Sequence, residues 1–192
     1  MSQLRRPTSR ATPSAPARGL LTRAVSVPSL RVLEEAPASG GPESSRRQPA
    51  LRRLTLWTAL LVILQIAFGM VVNLYVTVPA HHPGAQPPEY FTGSARSVAW
   101  AISSGPPALA AHAILGLGVG AMALVLAVRA VTVRGGRVAA LSVLAAAMVI
   151  GAGFNGASFL DFGAALSSLL MSLLALGALT CYLVGAHLLG SD

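Results

Sequence analysis

Gly151-Ala-Gly-Phe-Asn-Gly-Ala-Ser-Phe-Leu-Asp-Phe-Gly163 decides how the chain folds. The stretch lies between two long apolar runs and is too apolar for an ordinary surface loop. Yet it carries Asn155 and Asp161, which an apolar run does not hold without partners. Those features predict the end of one membrane helix, a tight turn and the start of the next. Gly151-x-Gly153-x-x-Gly156 spells a dinucleotide-binding fingerprint, but it follows no strand and sits inside an apolar run, so that meaning fails. Its glycines serve helix packing instead.

Working outward, the apolar residues fall into four blocks, at about 54–78, 106–128, 138–159 and 163–189. Each is long enough to cross roughly 30 Å of hydrocarbon, which takes roughly 20 residues. Composition agrees: 54% of the 192 residues are hydrophobic and 10% are charged, against about 25% charged in a soluble domain. The predicted fold class is all-α, a four-transmembrane-helix bundle spanning residues 51–190 behind a disordered tail, residues 1–50. That tail is rich in Arg, Pro, Ser and Ala and cannot bury enough surface to offset chain entropy. It reads as a basic cytoplasmic arm, and its lack of acidic residues up to Leu33 also suits an organellar transit peptide. It is not a secretory signal, because the first apolar block begins after residue 50.

The net charge of +8 comes from arginine alone. Arg46, Arg47, Arg52 and Arg53 precede the first span, and Arg129, Arg134 and Arg137 surround the turn between the second and third. The opposite loops carry only Arg96. Basic residues favour the cytoplasmic side, so both termini are expected there. The lysine-free, Ala/Gly/Leu/Val-rich composition points to a GC-rich, bacterial genome and hence a bacterial cytoplasmic membrane. The expected partners are the lipid bilayer and a membrane-protein partner or homo-oligomer; arginines beside spans meet headgroups, and no nucleic acid is expected. Within the 81–105 loop, Gly93 to Ser103 is expected to form a short surface helix. Ser103 or Ser104 is expected to cap the second span and Asp161 the fourth.

The polar residues inside the spans are the candidate site. Gln65, Gly69, Asn73 and Thr77 recur every four residues; His112, Gly116 and Gly120 repeat that spacing. At about 1.5 Å per residue, Asn73 falls about 8–9 Å below the outer end of its span. His112, Asn155 and Ser168 fall about 6–9 Å below theirs. The four are expected to converge in one layer, as interhelical hydrogen bonds or as a ligand or cofactor site. His187 cannot share a haem iron with His112, because it lies near the other end of its span. His81 and His82 have suitable ligand chemistry for a metal at the outer surface, although no fixed spacing supports one. Gly69, Gly116, Gly120, Gly151, Gly177 and Gly185 are the expected helix-packing positions. Cys181, the single cysteine, reads as a small packing residue. No cofactor is required by the sequence, and its identity is unknown.

Asn73-Leu-Tyr-Val, His112 within its Ala/Leu run and Gly153-Phe-Asn-Gly-Ala-Ser-Phe-Leu160 make the chain similar to small bacterial four-span integral membrane proteins. The resemblance covers most of residues 54–189 and implies the fold, with no established activity and no functional residue to carry over. Three function classes follow from the residues. The first is a non-enzymatic accessory or partner-binding membrane subunit. The second is a haem- or metal-binding redox protein using His112 and the outer layer. The third is a small-solute or ion carrier lined by Gln65, Asn73, His112 and Asn155.

Overall fold

The structure, a computed structural model, describes residues 42–191, with side chains from Gln48 onward. The expected tail lies outside the described residues up to residue 41. Every regular element among the described residues is helical: α1 Pro42–Tyr75, α2 Tyr90–Ser103, α3 Pro107–Val133, α4 Gly136–Phe162 and α5 Ala165–Leu188. Four of them are long and apolar enough to cross a membrane: Gln48–Tyr75 of α1, then α3, α4 and α5. The expected fold class is therefore the observed one.

The ends of the elements follow local chemistry. α1 reaches back to Pro42, into the stretch assigned to the tail. Its C-terminal end comes at Tyr75, three residues before the expected Val78. Pro79 has no N–H and pushes Val78 towards extended backbone, so the chain leaves the helix early. α3 runs five residues past the expected Val128, because Arg129 can lay its stem along the helix and keep its head in water. Gly163 ends α4 in the left-handed region (φ 65°, ψ 19°), with its N–H donating to the Phe159 carbonyl. The turn to α5 is then only Gly163 and Ala164, as the opening stretch predicts.

Two expected caps are absent. The N-cap of α3 is Pro106, with no side-chain bond. Ser103 and Ser104 instead share a hydrogen bond between their hydroxyls at 3.2 Å. The N-cap of α5 is Ala164, also without a side-chain bond. Asp161 lies inside the last turn of α4 and is engaged elsewhere.

α1 packs on α3 and α5, and α4 packs on the same two; among the described residues α1 lies diagonal to α4, and α3 to α5. The spans thus form a four-sided bundle. Its core is rich in alanine: Ala59, Ala123, Ala127, Ala130, Ala139, Ala145, Ala146 and Ala178, with Leu126 and Tyr182 as the largest buried members. Small residues bring helix backbones close, and in lipid that close contact is itself the source of association. At one end, Arg52 Nε donates to the Ala186 carbonyl and Gln48 Nε2 to the Leu189 carbonyl, both at 3.4 Å. These side chains of α1 satisfy carbonyls that the end of α5 leaves open. At the other end, α2 lies against α3 and α4, over a second small core of Val72, Ala101 and Leu109.

Candidate functional site

Two polar clusters occupy the bundle, and the first is a seam between α1 and α3. Gln65 projects from α1 and His112 from α3. The Gln65 amide nitrogen donates to the His112 backbone carbonyl at 3.1 Å and to ring Nε2 at 3.2 Å. A carbonyl can only accept, which fixes which end of the amide faces α3. With Nε2 accepting, the neutral ring carries its proton on Nδ1.

Glycine makes this approach possible from both sides. A Cβ on Gly69 would stand 3.1 Å from His112 Cε1, and one on Gly116 would stand 2.9 Å from the Gln65 amide nitrogen. Each helix therefore offers one polar side chain and one glycine, and each side chain lies over the other helix's glycine. Two atoms in the seam are buried without a partner, Gln65 Oε1 and His112 Nδ1.

The expected four-residue layer is not assembled as a hydrogen-bonded set. Among the described residues no hydrogen bond joins any two of Asn73, His112, Asn155 and Ser168. Asn73 is exposed, two residues from the end of α1. Asn155 donates to the carbonyl of Gly151 on its own helix at 2.9 Å. Ser168 is half-buried, and its carbonyl accepts the Ser172 hydroxyl at 3.0 Å. The partner of His112 is Gln65, deeper in α1 than Asn73.

Four of the six packing glycines meet a neighbouring helix. Besides Gly69 and Gly116, a Cβ on Gly151 would meet Leu174 at 3.2 Å, and one on Gly177 would meet Met148 at 2.8 Å. Gly120 and Gly185 have no such neighbour within 4 Å.

The second cluster lies at the α2 end of the bundle and was largely missed by reading the sequence. Asp161 is only 2% exposed. Its carboxylate accepts hydrogen bonds from Ser94 Oγ at 2.7 Å and Ser97 Oγ at 2.5 Å, both on α2. Its backbone carbonyl accepts the Gln86 N–H at 2.9 Å. Tyr90 hydroxyl, also on α2, donates to the Phe154 carbonyl at 2.8 Å and lies 2.9 Å from Ser158 Oγ.

Glycines again set the distances. Gly84 has φ +99°, and a Cβ there would collide with Ser97 Oγ; one on Gly93 would collide with the Pro87 ring. The signal for this cluster was present. Gly93, Ser94, Ser97 and Ala101 are the buried face of α2, small residues at helical spacing opposite Arg96 and Phe91.

His82 ties the same loop to α4. Its ring stacks on Trp100, centroids 4.4 Å apart and planes inclined by 15°. Nε2 faces the Leu160 carbonyl at 3.1 Å and Nδ1 the Pro83 carbonyl at 3.2 Å. A neutral ring donates to one of these and an imidazolium to both. His81 is exposed. Among the described residues no three His, Cys, Asp or Glu side chains come together as a metal set. The Asp161 carboxylate bonds the serines directly, with no imidazole between them, so the geometry is that of a latch rather than an activated nucleophile.

No family model, curated protein or solved structure matches the chain.

Proposed function

We propose that the chain is an accessory subunit of a membrane assembly, set in a bacterial cytoplasmic membrane with both termini on the cytoplasmic side. The use of its polar groups carries this reading. Gln65 closes on His112, and Asn155 on its own helix. Thr55, Thr58, Ser142, Ser172 and Thr180 each donate to the carbonyl four residues back. Gln65 and His112 tie α1 to α3 and the other polar groups close within their own helices, so the helix surfaces are what remains to act on a partner. The orientation is supported by charge. Arg52, Arg53, Arg129, Arg134 and Arg137 belong to the end where α1 and α4 start and α3 stops, and Arg96 lies on α2 at the other end.

Gly120 supplies the test. It is half-buried on α3, and a Cβ there would meet nothing of this chain within 4 Å. Gly120→Leu should leave the monomer folded while reducing an assembly formed through α3. Native mass measurement in mild detergent should show a partner or second copy with the wild type and less of it with Gly120→Leu. A wild type that is monomeric and alone at every concentration overturns the proposal.

A second reading rests on the unpartnered atoms of the seam. Gln65 Oε1 and His112 Nδ1 present an acceptor and a donor to any small ligand between α1 and α3. A haem would need a second axial ligand, and His187 sits in the last turn of α5, at the opposite end of the bundle from His112. Visible absorption and metal content of the purified protein test the cofactor form of this reading. A colourless, metal-free, folded preparation rejects it.

A further inference from the structure

The connection between α1 and α2 is fastened to the C-terminal end of α4 at two successive carbonyls. His82 Nε2 faces the Leu160 carbonyl at 3.1 Å, and the Gln86 N–H donates to the Asp161 carbonyl at 2.9 Å. Both carbonyls belong to the last turn of α4, where a helix leaves acceptors without donors of its own. The Gln86 bond joins backbone to backbone and involves no titrating group. The His82 bond depends on which ring nitrogens carry a proton.

The half-buried His82 ring meets acceptors on both sides, since Nδ1 lies 3.2 Å from the Pro83 carbonyl. A carbonyl cannot donate, so a neutral ring leaves one nitrogen lone pair facing a carbonyl oxygen. An imidazolium donates to both. Two further features suit a positive ring. It stands at the C-terminal end of α4, the negative end of the helix dipole. It also lies flat on the Trp100 indole, centroids 4.4 Å apart, and an aromatic face attracts a cation.

The titratable and charged groups on the surrounding elements are Tyr75 of α1, His81 and Glu89 of the connection, Tyr90 and Arg96 of α2, His112 of α3 and Asp161 of α4. Tyr75, His81, Glu89 and Arg96 are exposed. Tyr90 bonds to α4, His112 to Gln65, and the Asp161 carboxylate to Ser94 and Ser97. The ring's own hydrogen bonds go to the two carbonyls.

We propose that His82 is a proton-operated fastening: protonation docks the connection and α2 onto α4, and loss of the proton loosens them. The doubly bonded ring exists only when the connection is docked. Docking is therefore tightest on the acid side of the histidine range, about pH 5 to 8, and weakens as pH rises through it. Loosening uncovers the small core of Val72, Ala101 and Leu109 beside α2. The device needs no partner and stands apart from the accessory role.

Amide hydrogen exchange of the full chain in detergent, with a chelator present, tests this at about pH 5.5 and about pH 8. After correction for the intrinsic rate at each pH, the amides of 81–103 should be about fivefold better protected at the lower pH, and those of α5 equally protected at both. His82→Gln keeps a donor but no titratable group and should lose the difference; His81→Gln should keep it. In a Trp57→Phe background Trp100 is the sole tryptophan, and its fluorescence should change over the same pH range and stay flat once His82→Gln is added. Equal protection at the two pH values in the wild type overturns the proposal. So does a difference that survives His82→Gln, which would assign the proton to another group such as Asp161. A flat Trp100 signal with His82 in place overturns it as well, and needs no substitution in the connection.

Discussion

Gln65 and His112 show how one hydrogen-bonded pair is used in an apolar seam. Each side chain lies over a glycine of the opposite helix, so the bond and the backbone approach depend on each other. Interhelical hydrogen bonds in membranes contribute about 0.6–2 kcal/mol, and Gln65→Leu should destabilise the bundle by that amount in a thermal or denaturant assay in detergent. It also leaves the His112 ring in an apolar seam without the amide. Gln65→Leu combined with His112→Phe removes both partners, and replacing both by apolar groups is far less costly than orphaning one. The double variant should therefore be more stable than Gln65→Leu alone; an equal or lower stability would show that the pair is not what holds this part of the seam. Gly116→Ala should act in the same direction as Gln65→Leu, because its Cβ takes the place of the Gln65 amide. The stripe containing this pair was legible in the sequence, but its extent was not. Each four-residue step drifts by about 40° on a 3.6-residue helix. One step, from Gln65 to Gly69 or from His112 to Gly116, stays in the seam. Two steps turn by about 80°, which takes Asn73 out to the exposed face and leaves Gly120 without a neighbour. The same drift carries Asn73 away from His112, whose partner is Gln65.

At the scale of the element, α2 is the part whose position depends most on a few side chains. It contributes a small core with Ala101 and is tied down through Ser94, Ser97 and Tyr90. Asp161→Leu removes the acceptor of two buried hydroxyls, at about 1–3 kcal/mol for each group left unpaired. Amide hydrogen exchange in residues 90–103 should accelerate about tenfold or more, with the amides of α4 and α5 protected as before. Asp161→Asn keeps one carbonyl acceptor and should fall between Asp161→Leu and the wild type. Acceleration spread evenly over all five helices would show that Asp161 supports the whole bundle rather than docking α2. Existence of the elements was readable because lipid demands long apolar runs, and four such runs leave little choice. A helix over 93–103 was readable from its mixed composition, and it begins three residues earlier, at Tyr90. The role of Asp161 was not, because an acidic residue just before an apolar run has the same appearance whether it caps the next helix or closes the previous one onto a third. Deciding between them needs the position of α2, which no local pattern encodes.

The whole molecule has two chemically different ends, and its placement in a bilayer follows from them. Trp57 and Tyr75 are both exposed, 64% and 81%, and lie near opposite ends of the α1 span. Their separation of 18 residues in one helix corresponds to about 27 Å at ~1.5 Å per residue, close to the thickness of a hydrocarbon core. Aromatic rings of this kind sit at the headgroup level. Beyond Trp57 come Arg52 and Arg53, with Arg129, Arg134 and Arg137 at the same end. Beyond Tyr75 come the loop, α2 and the aromatic contacts of Phe91 and Tyr90 with Phe154. Arginine beside short connections favours the cytoplasmic side, so the Trp57 end is expected in the cytoplasm and the α2 end outside. In a Cys181→Ser background, Glu89→Cys and Ser191→Cys introduce single thiols at exposed positions on the two ends. A membrane-impermeant maleimide should label Glu89→Cys in intact cells and Ser191→Cys only after lysis. The opposite pattern would mean that the arginine end faces outward; labelling of both in intact cells would mean that the two ends share one side, which four crossings with α2 at the far end do not allow.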